Sequence, residues 1–235
     1  MLSEVNSYQQ HLVSFSSILC QKLRSYREAR RRLDRFLSTG FNVFRLIQPD
    51  ENRLSDIIAD LLDPAGSHGQ QRVFLDSFLG LIEQPELLRR QPTAVLREGA
   101  TRYIERSQRR IDLTVDFGDF GLGIENKPWA GDQPDQLNDY YDHLTKKYGT
   151  RFCLVYITPN GRRPTSMADQ LIDDLIRNHR LRLVSYDCDI GGWLQACCQL
   201  SSSDKFRWFL RDFVDYIVDF FPVSPTMEAS DDGIE

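Results

Sequence analysis

The chain has 235 residues, with 41% hydrophobic and 27% charged residues and a net charge of -5. This is the composition of a water-soluble globular protein with enough chain for one sizeable domain and a helical appendage. No apolar run approaches the ~20 residues of a membrane span, and Met1-Leu2-Ser3-Glu4-Val5-Asn6 lacks the basic start and apolar core of a secretory signal. The five cysteines, Cys20, Cys153, Cys188, Cys197 and Cys198, are odd in number and without metal spacing, so they read as reduced, mostly buried thiols of a cytoplasmic protein.

Residues 5–37 lack proline and glycine and mix apolar with charged positions, which predicts a helix ending at Thr39-Gly40. Its segment from Lys22 to Arg35 carries seven bases against Glu28 and Asp34. That run reads either as a phosphate-binding surface or as a solvated helix face. Residues 50–62 place Leu54, Ile57, Ile58, Leu61 and Leu62 on one stripe, capped by Asp50 and ended by Asp63-Pro64-Ala65-Gly66. Glu51 falls on the apolar side of that wheel, whereas Asp56 and Asp60 point away. An inward carboxylate at a helix start fits a metal site fed from beside a sheet; it also fits simple complementation of the helix N-terminus.

A second helix is expected within 70–84, and a short strand over 94–98. The next stretch is the most informative. Arg110-Ile111-Asp112-Leu113-Thr114-Val115 and Leu122-Gly123-Ile124-Glu125-Asn126-Lys127 alternate apolar and polar residues around the turn residues Gly118-Asp119-Phe120-Gly121. This predicts a half-buried hairpin over about 109–127. Asp112 then lies opposite or diagonal to Glu125 and Lys127 on one face, with Ile111, Leu113, Val115, Leu122 and Ile124 on the other. Two carboxylates and an ammonium on one patch suit a hard divalent cation, a water and a phosphate. The backbone carbonyl of Asn126 is a further hard ligand, and Lys127 is placed to orient or deprotonate water or to stabilise developing charge. The plain alternative is an exposed charge ladder.

A helix over 132–148 follows, with Pro134 in its first turn and Leu137, Tyr140, Tyr141, Leu144 and Tyr148 as its apolar stripe. Gln136 sits beside Gln133 and Tyr140, where it either bonds phosphate or water or is ordinary helix surface. Trp129 is placed to stack on a base or to cover the core. Phe152–Thr158 reads as a buried strand, 166–178 as a helix, 181–186 as a strand, and 190–200 and 204–221 as helices, the last rich in aromatics. Residues 224–235 read as disordered; without the four acids of the last ten residues the net charge is -1. The class is α/β with a mixed central sheet flanked by helices. The domain reading is an N-terminal helical segment at 1–40, a core at 41–222 with C-terminal helical additions, and an acidic tail at 223–235.

Over about residues 48–165 the chain resembles the PD-(D/E)XK nuclease superfamily of restriction-endonuclease-like fold, and more narrowly a bacterial branch of it. The matching elements are Glu51 heading a helix that ends Leu61-Leu62-Asp63-Pro64, then His68-Gly69 and Phe74-Leu75, then Glu98. After them come Arg109-Arg110-Ile111-Asp112, Ile124-Glu125-Asn126-Lys127, Asp132-Gln133 with Gln136-Leu137 and Tyr140, and Tyr156-Ile157-Thr158-Pro159 with Gly161. Ile111 stands where the family pattern has its nominal proline, a position that varies within the superfamily. The resemblance implies an Mg²⁺-dependent endonuclease, with Mn²⁺ able to substitute, hydrolysing phosphodiester bonds in DNA. It implies Asp112 and Glu125 as metal ligands, Lys127 as base or electrostatic aid, Glu51 as an auxiliary acid and Gln136 as an accessory polar residue. It assigns no chemistry to His68, read as a brace for the loop after Pro64, or to Glu98. Arg109, Arg110, Gln133 and Trp129 are the expected substrate contacts. Roles in bacterial defence or DNA processing follow by analogy of fold, and control by a regulatory partner or by homo-oligomerisation is expected of a nuclease. The competing readings are a non-catalytic binding or assembly subunit and a nuclease for RNA or branched junctions.

Overall fold

A computed structural model describes residues 2–100 and 109–222. The chain divides into two units, Met1–Asn42 and Val43–Glu235. The first is built on one helix, α1 (Leu2–Leu37). The second has, in order, α2 (Val43–Ile47), α3 (Glu51–Leu62), α4 (Val73–Leu81), β1 (Ala94–Ala100), β2 (Arg110–Asp116), β3 (Gly121–Asn126), α5 (Gln136–Tyr148), β4 (Phe152–Thr158), α6 (Asp169–Arg177), β5 (Leu181–Ser185), α7 (Gly191–Leu200) and α8 (Asp204–Phe220). The acidic tail expected to be disordered lies outside the described residues.

The five strands form one sheet in sequence order. β1-β2 and β2-β3 are antiparallel, and β3-β4 and β4-β5 are parallel. The sheet is therefore mixed, as its alternating helix and strand signals predict. Leu113, Val115, Leu122, Ile124, Val155 and Ile157 face a core shared with α3, α4, α7 and α8. Leu154 and Tyr156 face the opposite side with Leu137, Tyr140 and Leu144 of α5 and Ile172 of α6. Every residue of β3 and β4 is buried. The hairpin is thus covered on both faces, not half-exposed as the alternation alone suggests. The reason is α5, which lies over the face that carries Glu125.

One expected facing changes. Ile111 joins the α5-side cluster and not the Leu113 side. It lies next to a local break in the β1-β2 ladder, where Glu98 takes a left-handed φ of 49° and drops out of the pairing that continues at Arg97↔Leu113 and Gly99↔Ile111. Gly121 has a packing reason: a Cβ there would run into the Tyr148 ring.

Helix boundaries shift where side chains compete for the backbone. α5 begins at Gln136, not 132, so Pro134 precedes the helix. The Asp132 carboxylate holds the preceding loop: it accepts hydrogen bonds from the Tyr156 hydroxyl, from Arg162 Nη2 at 2.9 Å, and from the backbone N–H and hydroxyl of Thr165. Asp135 then adopts φ 57°, so the helical run starts after it. α4 falls within its expected window of 70–84, α6 covers 169–177 where 166–178 is expected, and Tyr186–Ile190 forms a π turn before α7. His68 braces its loop as expected. Its ring Nε2 lies 3.0 Å from the Asp63 carbonyl, its Nδ1 accepts from the Gln70 N–H at 2.9 Å, and it packs beside Phe74 and Phe206. The aromatic stripe of α8 is largely a core face: Phe213 stacks on Phe44 with ring centroids 4.6 Å apart. Cys153 and Cys197 are buried, but Cys20 and Cys188 are exposed, against the expectation of mostly buried thiols.

Candidate active site

The register Leu113↔Ile124 sets Asp112 and Glu125 across from one another at the open end of the hairpin, one step past the last paired positions. There the Asp112 Oδ2 accepts the backbone N–H of Asn126 at 2.8 Å. Residues two apart on a strand share a face, and Lys127 Nζ lies 2.7 Å from Glu125 Oε1. Glu51, first residue of α3, reaches in from the helix: its Oε1 lies 3.0 Å from the same ammonium. Asp50 fixes that helix start by accepting the Arg53 N–H at 2.8 Å. Of the two readings of Glu51, the structure has its side chain directed at Lys127.

Glu125 is 0% exposed and Lys127 6% exposed. Gln136, buried at the start of α5, donates from Nε2 to Glu125 Oε1 at 2.6 Å and lies 3.0 Å from the Tyr140 hydroxyl. The Tyr140 hydroxyl in turn donates to the Arg110 carbonyl at 2.7 Å. The contacts that Lys127 and Gln136 make to Glu125 both fall on Oε1. Glu125 Oε2 is buried and has no hydrogen-bond partner among the described residues. A buried carboxylate oxygen left this way costs free energy unless something charged or polar meets it.

The electrostatics follow from crowding. Burial, then the neighbouring Asp112 charge, pushes the Glu125 carboxyl up to about 8 despite the adjacent Lys127. Burial also raises Asp112, opposed by the Asn126 N–H and by Lys127. Burial works against the Lys127 ammonium, but Glu125, Glu51 and Asp112 together outweigh it and hold Lys127 charged well above the ordinary lysine range.

Asn126 points the other way. Its Nδ2 donates to Ser55 Oγ at 2.9 Å, its Oδ1 accepts from the Tyr186 hydroxyl at 2.7 Å, and Ser55 Oγ donates to the Glu51 carbonyl at 2.9 Å. This chain joins α3, β3 and the turn after β5, and it fixes the backbone between Glu125 and Lys127. Sequence reasoning missed Ser55 and Tyr186; a serine on the Leu54 and Ile58 face of an amphipathic helix is the available signal for the first. It also missed Arg97, whose guanidinium bridges the Asp112 carbonyl, Asp56 Oδ1 at 2.8 Å and the Asn52 carbonyl at 3.3 Å.

The remaining expected residues lie around this cluster rather than in it. Gln133 is exposed, and its N–H donates to Gln136 Oε1 at 3.3 Å. Arg109 Nη2 donates to the Pro134 carbonyl at 2.6 Å, and its Nε lies 3.2 Å from Asp139. Arg110 pairs with Glu98 at the surface at 2.8 Å. Trp129 is 52% exposed and stacks on Phe221. Among the described residues no three His, Cys, Asp or Glu side chains are grouped to hold a metal ion; the Lys127 ammonium lies between Glu51 and Glu125. The donor chemistry nonetheless fits a hard divalent cation. Two desolvated carboxylates stand side by side, one with a buried oxygen unpartnered, and a cation is what such a pair lacks. A separate groove of about 950 Å³ between α2, α3 and α8 includes none of Glu51, Asp112, Glu125 or Lys127. Its acids, Asp50, Asp56 and Asp60, are exposed or half-buried, and the buried charges converge instead at Glu125.

No helix of the described residues is long and apolar enough to cross a membrane. No curated protein and no solved structure matched the chain. The family model described as PD-(D/E)XK nuclease superfamily matches residues 41–215, a span that holds every residue of the cluster. A mixed five-stranded sheet, a carboxylate on its second strand and a Glu-x-Lys on its third accompany that match, and the chain belongs to the PD-(D/E)XK nuclease superfamily.

Proposed function

We propose that this protein is a metal-dependent endonuclease that hydrolyses phosphodiester bonds in DNA, with Mg²⁺ as the natural cofactor and Mn²⁺ able to replace it. The observation that carries the reading is Glu125: a fully buried carboxylate beside Asp112, held through one oxygen by Lys127 and Gln136, with the other oxygen unpartnered among the described residues. Asp112, Glu125 through Oε2, the Asn126 carbonyl and, at the edge, Glu51 are the residues to hold the cation. When bound, the cation acts as a Lewis acid on phosphate oxygen and lowers the pKa of a coordinated water.

The chain's own groups set the geometry. Gln136 and Lys127 fix Glu125 Oε1, and the Asn126 N–H fixes Asp112, so neither carboxylate has to reorganise. Lys127, held in its charged form beside Glu51, Asp112 and Glu125, orients the attacking water and offsets charge developing on the phosphate. That state favours the electrostatic role of Lys127 over that of a resting base. The reaction consumes one water, breaks one phosphorus–oxygen bond and yields a phosphomonoester and a hydroxyl. Arg109, Arg110, Gln133 and Trp129 line the approach for the nucleic acid. Following the family resemblance, the protein works in the cytoplasm in DNA processing or in defence.

The test is incubation of supercoiled plasmid with the purified protein in Mg²⁺, in Mn²⁺ and in EDTA, beside Glu125→Ala. Metal-dependent nicking that the variant loses is the expected result. Folded protein that cuts with neither metal, or a variant that cuts as well as the parent, would overturn the reading.

A further inference from the structure

α1 is a 36-residue helix. Its apolar residues recur every three and four positions in a seven-residue repeat. Leu12, Leu19, Tyr26 and Leu33 occupy one seam position, and Phe15, Lys22, Ala29 and Phe36 the other. The sequence carries the same positions back to Val5 and Tyr8. A period of 3.5 sustained over so many turns, rather than the 3.6 of a helix lying on a globular core, is the pattern of a two-stranded coiled coil. Nothing in its own unit covers the stripe: Leu12 is 55% exposed, Phe15 65%, Tyr26 63%, Leu33 54% and Phe36 82%.

We propose that a second copy of this chain covers that stripe, the two α1 helices pairing antiparallel as a coiled coil. The charge distribution decides the direction. Lys22 to Arg35 holds seven bases and two acids, whereas the twenty residues before it hold Glu4 alone among the acids and no Lys or Arg. Parallel pairing stacks the two basic halves on one another and sets Lys22 against Lys22. Antiparallel pairing lays each basic half along the partner's nearly uncharged half.

The packing agrees. In an antiparallel pair the two seam positions face each other. A single alignment sets Leu12 opposite Ala29, Phe15 opposite Tyr26 and Leu19 opposite Lys22, whose stem covers the leucine while its ammonium reaches water. Continued, the same alignment brings Leu33 to Tyr8 and Phe36 to Val5, so no seam residue is left over. The six large apolar seam residues of known exposure, Leu12, Phe15, Leu19, Tyr26, Leu33 and Phe36, at about 100 Å² of exposed surface each, put roughly 1,200 Å² per pair within reach of burial, the lower end of the size of a specific interface.

Sedimentation equilibrium of the full chain at micromolar concentration tests the association. The expected mass is twice the 27.3 kDa of the chain, falling to the single-chain value in Phe15→Glu/Leu33→Glu with the main unfolding transition unchanged. A monomeric parent, or a dimer that the double variant leaves intact, would overturn the proposal. Cross-linking tests the direction without a destabilising change. With Cys20 and Cys188 replaced by serine, Leu12→Cys and Ala29→Cys should each give no disulfide-linked dimer alone and a linked pair when mixed. A linked dimer from either variant alone, or none from the mixture, would refute the antiparallel arrangement.

Discussion

Replacing Glu125 by glutamine tests the electrostatic account of the site in the metal-free protein. An unfolded chain ionises this glutamate near 4.5, whereas the folded site keeps it protonated until about 8. Between those values the unfolded state binds fewer protons than the native state, so the stability of the parent must fall as pH rises through the window. At about 1.4 kcal/mol per tenfold change in ionisation, the full displacement corresponds to about 5 kcal/mol. Local relaxation and water entry reduce a single buried ionisation, which leaves an expectation of about 2–4 kcal/mol. Glutamine keeps an oxygen to accept from Gln136 and removes the ionisation. Urea unfolding in EDTA from pH 5 to pH 9 reads the difference. Parent and Glu125→Gln should be similar near pH 5, and the variant should be more stable by about 2–4 kcal/mol above pH 8. Metal-dependent cleavage should be lost in the same protein. A parent whose stability is flat or rises over that window, or a variant that is the less stable at pH 9, would show that Glu125 is ionised and satisfied in the fold, and the reasoning would fail.

Asp132→Ala removes the carboxylate that ties Tyr156, Arg162 and Thr165 to the loop before α5; the expected loss is about 2–4 kcal/mol in chemical denaturation, because Arg162 is left without its partner. The same hydrogen bonds hold this carboxyl below its ordinary range although burial pushes it up. Tyr186→Phe frees Asn126 Oδ1 in a buried site. It should cost about 1–3 kcal/mol and slow plasmid cleavage while leaving the far-UV spectrum unchanged, whereas full activity would show that the Asn126 network does not position the site. Gly121→Ala puts a methyl group into the Tyr148 ring and should lower stability by about 1–3 kcal/mol through overpacking; paired with Tyr148→Ala, most of that loss should disappear in a double-mutant cycle.

Much of this architecture is written in local pattern. Alternation over 110–115 and 122–127 gives the hairpin, and the spacing of Leu54, Ile58 and Leu61 gives α3, because strand and helix periods are properties of a few neighbouring residues. The pairing of Asp112 with Glu125 follows from the turn, and the helical wheel is enough to aim Glu51 inward. Non-local choices are what the sequence does not carry. Nothing in residues 132–135 announces that the Asp132 carboxylate will bond to β4 and the loop beyond it and so delay α5. Nothing near Glu125 tells that α5 will cover its face and leave it fully buried.

The sequence by itself determined which residues are carboxylates, lysine and glutamine, on which strands and helices they ride, and that a basic, heptad-patterned helix precedes the domain. Only the tertiary structure decided their chemistry. Packing α5 over β3 removes water from Glu125, places Gln136 on one of its oxygens and leaves the other without a partner among the described residues. Docking α3 on the sheet brings Glu51 to Lys127 and locks that ammonium in its charged form. Burial and proximity between distant segments set those energies, and neither is a property of any stretch of chain taken alone.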